Sequence, residues 1–358
     1  MLCPQSNKAY ISGQRGAALI IALLVFALCT ALIVAMKSEF ILFYQRGSNV
    51  FVAEQAYAYL LSAEDLASMA LIADYDEDKI SKTPQDDLNE FWAGPAKPYS
   101  IAKGNRVDGY LQGSLEDLQG RFNLNSLVPS GNTGNKKPRY TASQQQFIRL
   151  LQVLPELEIG EREAIVLTQS IGDWLDANSN VADNGAEDDY YSSQTPAYRA
   201  ANRSMASVSE LMAVANMTPE IVYALSPWVT VLPEDVIAVN IHTAPRILLR
   251  AFGEDDVLQP LSEADADALF EARCSGSIAD IASFLAHPVF QGKKLGAMTN
   301  LLGVNSAYFL LVATAEVAER QARLYSVLER KGRAIHTVSR SNANFGRIEE
   351  PETCTTAL

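Results

Sequence analysis

The chain has 358 residues, with 29 Lys and Arg against 42 Asp and Glu and a formal net charge of −13. That acidity argues against nucleic acid as a partner, because a phosphate-binding surface needs clustered Lys and Arg, and the length suffices for one anchor and about two domains of ~100–200 residues. No Gly-x-Ser-x-Gly elbow, His-Glu-x-x-His or phosphate loop occurs, so hydrolase and nucleotide chemistry have no foothold.

The first element is apolar. From Ala17 to Met36 no charged residue occurs, and that length is close to the ~20 apolar residues a helix needs to cross a bilayer. Upstream only Lys8 and Arg15 carry charge, so the short end is expected to stay cytoplasmic and everything after Lys37 to be exported. A secretory signal peptide would have a shorter apolar region of ~7–15 residues. An ordinary signal anchor and a cleaved leader both fit the residues before the span. Beyond Lys37 and Glu39, the residues Val52, Ala56, Tyr59, Ala63, Leu66 and Ala70 recur at spacings of four and three. This marks one apolar face of a continuing helix over 17–72, able to leave the membrane and pack beneath a globular head.

Asp74 to Asp87 is acidic and polar, and Gly94-Pro95 with Lys97-Pro98 breaks any periodicity, so a loop is expected there. Tyr99–Ala102, Arg106–Leu111 and Leu115–Leu118 are short runs punctuated by Gly104, Gly109, Gly113 and Gly120, which suggests a small antiparallel sheet with tight turns over 73–125. Next, Asn123 and Asn125 alternate with Phe122 and Leu124, as where a strand ends and side-chain amides satisfy backbone groups of the departing loop.

From Val128 to Pro138 the composition shifts to Pro, Ser, Gly, Asn and Lys, a linker signal. A helical block over 126–303 follows. Phe147, Leu150, Leu151 and Leu154 follow the i, i+3, i+4, i+7 template, and Ala164, Leu167, Ile171 and Trp174 share a helix face. Ser207 with Glu210 and Ser262 with Asp265 are candidate capping boxes, and Thr218-Pro219 places a cap before an N1 proline. Strand character returns over 304–340, in Tyr308–Val317, Ala322–Leu328 and Arg333–Val338. The polar tail, 341–358, is expected to fray.

Several residues invite chemistry. His242, His287 and His336 are scattered and lack metal-ligand spacing. Asp173 and Asp176, three apart beside Trp174, have the residue types of a glycosidase acid and nucleophile, but the acids that follow point to metal. Cys274 and Cys354 fall in the exported part, where two thiols can pair, although two distant cysteines signal a disulfide only weakly. Val239 to Pro245 is similar to the start of a helix-hairpin-helix unit; the chain's acidity favours Asn240 and Thr243 as caps of a packing helix instead.

The segment Gly13-Gln14-Arg15-Gly16 ahead of Ala17-Ala18-Leu19-Ile20-Ile21 resembles the class III leader of type IV pilins and secretion pseudopilins, cut after the glycine by a prepilin peptidase. With the strand motif DLQGRFNLNSL from Asp117, the block DWLDANSNVADNGAEDDYY from Asp173, VNIHTAPRILL from Val239 and the closing strands, nearly the whole chain resembles the minor pseudopilin K family of type II secretion. The resemblance implies an α+β, pilin-like fold: a long N-terminal transmembrane helix plus a small antiparallel sheet, with a large inserted all-α domain. It further implies a leader over 1–16, cleavage between Gly16 and Ala17 with methylation of Ala17, and a single span in the bacterial inner membrane with the head in the periplasm. Most pilins carry Glu as the fifth mature residue; here Ile21 stands there, as in the K family. The implied role is structural, not enzymatic: to cap and initiate the pseudopilus with minor pseudopilins I and J, the stripe from Val52 to Ala70 packing against them. A type IV pilus tip protein and a membrane-anchored carbohydrate-active enzyme are the alternatives.

The segment from Asp176 carries a further expectation. With Asp176 as position one, Asn178 falls at three, Asn180 at five, the Ala182 carbonyl at seven, Asn184 at nine and Glu187 at twelve, the ligand spacing of an EF-hand loop. The usual glycine at six is Val181, so the backbone path must differ. Asp183, Asp188 and Asp189 stand in reserve for a second ion, and hard oxygen donors without Cys or His favour calcium over zinc. The resemblance implies calcium at this same segment, around Gly185-Ala186-Glu187-Asp188.

Overall fold

The computed structural model describes residues 15–81, 84–94, 97–103, 106–128, 139–343 and 352–354. Most of the expected leader and linker, and part of the tail, lie outside these. Two compact units divide the chain, residues 1–56 and residues 57–358.

Helix α1 runs over Arg15–Asp78, six residues beyond the expected end, and Gly16 and Ala17 lie in its first turn. In the first unit its side chains from Gly16 to Phe51 are exposed, Leu19 at 65% and Phe26 at 68% among them. This stretch is long and apolar enough to cross a membrane. In the second unit Leu60, Ala63, Ala67 and Leu71 are buried, one face at helical spacing. The helix runs on through Asp74, which pairs with Arg330 at 2.7 Å, to Asp78, so the acidic segment is not all loop.

Next come β1, Tyr99–Lys103, and β2, Arg106–Asp117. The second and third expected strands are therefore one, and Gly109 and Gly113 are not turns. A Cβ at 109 would collide with the Glu316 carbonyl, so glycine there permits a neighbouring strand to approach. After β2 the chain leaves the sheet through two 3₁₀ turns, Leu118–Gly120 and Leu124–Leu127, with the short β3, Phe122–Asn123, between them.

The helical block comprises α2 (Ala142–Leu151), α3 (Glu161–Leu175), α4 (Asp188–Ser192), α5 (Pro219–Leu225), α6 (Arg246–Leu249), α7 (Glu263–Cys274) and α8 (Ile281–Leu285). Phe147, Leu150, Leu151, Ala164, Leu167, Ile171 and Trp174 are all buried, as their spacing predicts, and Leu154 is buried just past its helix. Thr218 and Ser262 cap α5 and α7. Ser207 instead caps a 3₁₀ turn, Val208–Ala213, because Glu210 accepts from Ala206 N and not from Ser207. Asn240 and Thr243 do not cap α6, whose N-cap is Pro245.

Four two-residue strands stitch this block to the sheet's end. The parallel pairs are β3 with β4 (Val229–Thr230), and β5 (Val239–Asn240) with β6 (Leu302–Gly303). Asn123 bridges them to the loop beyond β4: its amide donates to Pro233 O and Val236 O, and its oxygen accepts from Leu232 N. Asn125 does the same with Met205 and Leu232. The alternating asparagines thus satisfy a departing loop, as their pattern predicts, but the groups lie about a hundred residues away.

The sheet closes with β7 (Tyr308–Val317), β8 (Arg320–Lys331) and β9 (Ala334–Ser341), in the antiparallel order β1-β2-β7-β8-β9. One face packs on α1. There Glu64 accepts from Ser326 Oγ at 2.6 Å, Thr337 Oγ1 at 2.8 Å and Arg340 Nη2 at 2.7 Å. The other face buries Leu118, Leu232, Tyr308 and Leu310 together. The tail expected to fray is in part held: β9 reaches Ser341, and Cys354 is bonded to Cys274.

Candidate metal loop and partner groove

Helix α3 ends by delivering two carboxylates on one side, Asp173 and Asp176, both buried, because positions three apart on a helix are neighbours. The chain then folds back over them. Ala182 N donates to Asp173 at 3.0 Å, and Gly185 lies so close that a Cβ there would overlap the Asp173 carboxylate. Glu187 precedes α4 and is 3% exposed, and neither of its carboxylate oxygens has a hydrogen-bond partner among the described residues. Burial pushes Glu187 up to about 7, helped by the neighbouring charges of Asp173, Asp176 and Asp188. Burial likewise raises Asp173 to about 6 and shifts Asp176 upward. Three acids in low dielectric without a cation repel one another and favour their protonated forms.

Of the candidate ligands, Asp176 and Glu187 lie near enough to feel each other's charge, as does Asp173, but among the described residues only Asp74, Asp86 and Glu90 bring their oxygens within 4.8 Å of one another. Asn178, Asn180, Asp183, Asn184 and Asp189 are exposed. The Asn178 oxygen accepts from Asn180 N, the Asn184 amide donates to Gln169, and the Ala182 carbonyl accepts from Gly185 N. Asp188 accepts from Ala200 N. The first half of the loop is wound into Asx turns in which Asp176 accepts from Asn178 N and Asn178 from Asn180 N. Asp173 as a metal candidate was legible in its spacing from Asp176. Gly185 is a residue that spacing could not single out. The glycosidase reading of the pair has no support, since both carboxylates are buried and Asp173 is covered by the returning loop.

The three histidines stay apart in role. His242 is buried and its pKa is lowered by that burial, His287 caps a 3₁₀ turn, and His336 is exposed on β9. The Val239–Pro245 segment serves packing: Asn240 donates to Asp117 and Ser306, and Thr243 Oγ1 donates to Asp117 at 2.5 Å.

The partner stripe divides. Ala56 and Ala63 are buried, Leu66 is 52% exposed, and Val52, Tyr59 and Ala70 are half-buried. Ala63, Leu66 and Ala70 line a groove of about 670 Å³ between α1 and the β1–β2 edge of the sheet. Glu90 also lines it, and its carboxylate accepts from Trp92 Nε1 at 2.6 Å. Oxygens of Glu90, Asp74 and Asp86 lie within 4.8 Å of one another. Arg330 reaches Asp74 and Asp86, at 2.7 and 2.5 Å. Burial pushes Glu90 up to about 8, with Asp74 and Asp86 adding to it.

Residues 120–234 match the sequence profile described as type II secretion system (T2SS), protein K. The type II secretion system protein K of Pseudomonas aeruginosa is 34% identical over 339 residues, covering 93% of this chain and 94% of that protein. That of Klebsiella pneumoniae is 30% identical over 91% of this chain and 96% of its own length. A chain of the crystal structure of the GspK-GspI-GspJ complex from enterotoxigenic Escherichia coli shares the fold, with a TM-score of 0.67 at 24% identity over 84% of this chain and 99% of that one. The chain belongs to the type II secretion system protein K family.

Proposed function

We propose that this chain is a minor pseudopilin that caps and initiates the periplasmic pseudopilus of a type II secretion system, in a tip complex with pseudopilins I and J. The likeness to protein K over nearly the full length of both chains carries the reading. The fold supports it, since an apolar helix continues into a helix-on-sheet unit that bears a bulky helical block. The solved relative is named as a complex of GspK with GspI and GspJ, which supports I and J as partners here. The role is structural, not enzymatic.

In this reading a prepilin peptidase cuts between Gly16 and Ala17, Ala17 is methylated, and the span holds the chain in the inner membrane with the head outside. Ile21, as fifth mature residue, suits a subunit with nothing above it, because it leaves no unpaired carboxylate in the bilayer. Copurification of the full chain with pseudopilins I and J in detergent tests the assignment, together with mass spectrometry of the mature N-terminus. A three-part complex and an N-terminus at methylated Ala17 are expected. Binding to neither partner, or a native chain starting at Met1, would overturn it.

Calcium belongs to the same reading. The residues fit a hard divalent cation: Glu187 has two buried oxygens that accept no hydrogen bond among the described residues, Asp173 and Asp176 add charge near it, and Gly185 keeps a side chain out of the space over Asp173. Asp173, Asp176 and Glu187 would hold the ion, which would relieve their mutual repulsion and order the loop. Asn178, Asn180, Ala182, Asn184, Asp183, Asp188 and Asp189, the other residues of the loop and its flank, are the further oxygen donors of this reading.

A further inference from the structure

We propose that Glu90 and Asp74 share one proton, and that this proton latches the segment ahead of β1 onto the end of α1, so that the latch opens as the solution turns alkaline. The inference concerns this chain alone and stands whether or not the chain sits at a pseudopilus tip.

The two carboxyls come from different elements. Asp74 stands near the end of α1 and Glu90 just before the 3₁₀ turn Phe91–Ala93, and their side chains are hydrogen-bonded to each other. Ionised carboxylates only accept, so a hydrogen bond between two of them needs a proton on one. Glu90 Oε2 already accepts from Trp92 Nε1 at 2.6 Å and from Asp87 N at 3.2 Å, which leaves Oε1 to carry that proton.

The surrounding charge keeps the proton in place. Oxygens of Asp74, Asp86 and Glu90 lie within 4.8 Å of one another, and Glu77 and Asp78 on α1 add to the negative field. Arg330 reaches in from β8 and pairs with Asp74 and Asp86. Asp87 accepts from Asn89 N and Gln85 Nε2 within its own turn. Lys97 lines the adjacent groove and makes no ion pair with these acids among the described residues. One guanidinium does not neutralise three clustered carboxylates, so one of them stays protonated. Glu90, which has no ion pair to Arg330 among the described residues, is pushed up to about 8, chiefly by burial.

The latch holds one wall of the groove. Asn89, Glu90, Phe91 and Trp92 line it opposite α1, and Trp92 packs edge-on against Phe309, with ring centroids 5.2 Å apart. When Glu90 gives its proton to solvent, two carboxylates face each other across the junction and push that wall from α1.

Thermal unfolding of the full chain in detergent, at fixed calcium and from about pH 5 to about pH 9, tests this in wild type, Glu90→Gln and Asp74→Asn. An acid raised in the folded state contributes fully below its ordinary value of 4.5 and loses that contribution as pH rises through about 8, by up to about tenfold in the folding constant per pH unit. Gln donates its amide to Asp74 at every pH, so the gap to wild type should move in favour of Glu90→Gln with that slope and level off above about pH 8. Asp74→Asn donates to an ionised Glu90 and should lose the same slope, with a midpoint lower throughout because Arg330 loses a partner. The infrared band of protonated carboxyls should be weaker in Glu90→Gln than in wild type at neutral pH. Parallel pH profiles in the three chains, or equal bands, would overturn the latch. If Glu90→Gln does not fold, a profile of Asp74→Asn parallel to wild type overturns it alone.

Discussion

Glu64 sits on the face of α1 that meets the sheet, 6% exposed, with Ser326, Thr337 and Arg340 all donating to it. The Arg340 guanidinium holds its carboxyl down to about 2, with both hydroxyls adding to that and burial opposing it. A carboxyl depressed in the folded state stabilises above its unfolded pKa of about 4.5 and loses that contribution as pH falls through about 2. Glu64→Gln is therefore expected to cost about 2 kcal/mol at pH 7, in the range for hydrogen bonds to charged groups. The gap to wild type should narrow in urea denaturation at pH 3 and close further below it. At the loop, calcium at a hundredfold excess over its Kd should raise stability by about 2.7 kcal/mol, seen as a higher thermal midpoint than in magnesium or chelator. Gly185→Ala places a methyl into the Asp173 carboxylate and should abolish that calcium shift. An unchanged wild-type midpoint in all three buffers would show the loop to be only a solvated face.

At the scale of elements, Arg330 on β8 ties three segments together. It reaches Asp74 on α1, Asp86 in the segment before β1, and the Ser306 carbonyl ahead of β7. Its side chain is 6% exposed and that of Asp86 is 0%. Removing the cation leaves buried carboxylates facing one another, a loss of about 3–5 kcal/mol when a buried pair is broken on one side. Arg330→Met should show that loss in denaturant at neutral pH and recover part of it in acid, where the acids protonate. A second junction joins sheet to helical block: Asp117 at the end of β2 accepts from Asn240, Thr243 and Ser306, so the VNIHTAP segment is a strut rather than a binding motif.

For the whole molecule, the Cys274–Cys354 bond closes a span of 80 residues and ties the tail to α7. Nearby, Arg246 pairs with Glu352 at 3.0 Å and stacks over Phe270. The chain-entropy relation for such a loop gives about 4.5 kcal/mol, and losses of about 2–5 kcal/mol are usual. Cys274→Ser should lower stability by that much, and wild type in reductant should match it; equal midpoints with and without the bond would refute the contribution. The net charge of −13 belongs to this scale too, since it disfavours nucleic acid and suits basic faces on partners.

The sequence by itself determined the elements whose signal is local: the apolar span, the helices whose faces repeat at 3.6 residues, the caps at Thr218 and Ser262, and the closing strands. Each depends on residues within a turn or two of one another. Tertiary structure decided what depends on distant groups. Which of two adjacent stripes on α1 faces the sheet was settled by Glu64 and its partners on β8 and β9, so Leu60, Ala67 and Leu71 are buried while Leu66 opens to the groove. Gly109 and Gly113 became strand because β7 approaches there, not turn. Glu187 came within the electrostatic reach of Asp173 and Asp176 because α3 fixes those two and the chain returns over Asp173, whereas Asp176 and Asn178 closed turns of their own. Spacing along the chain reports none of these, since the competing partners lie a hundred residues or more away in sequence or depend on where a folded backbone turns back.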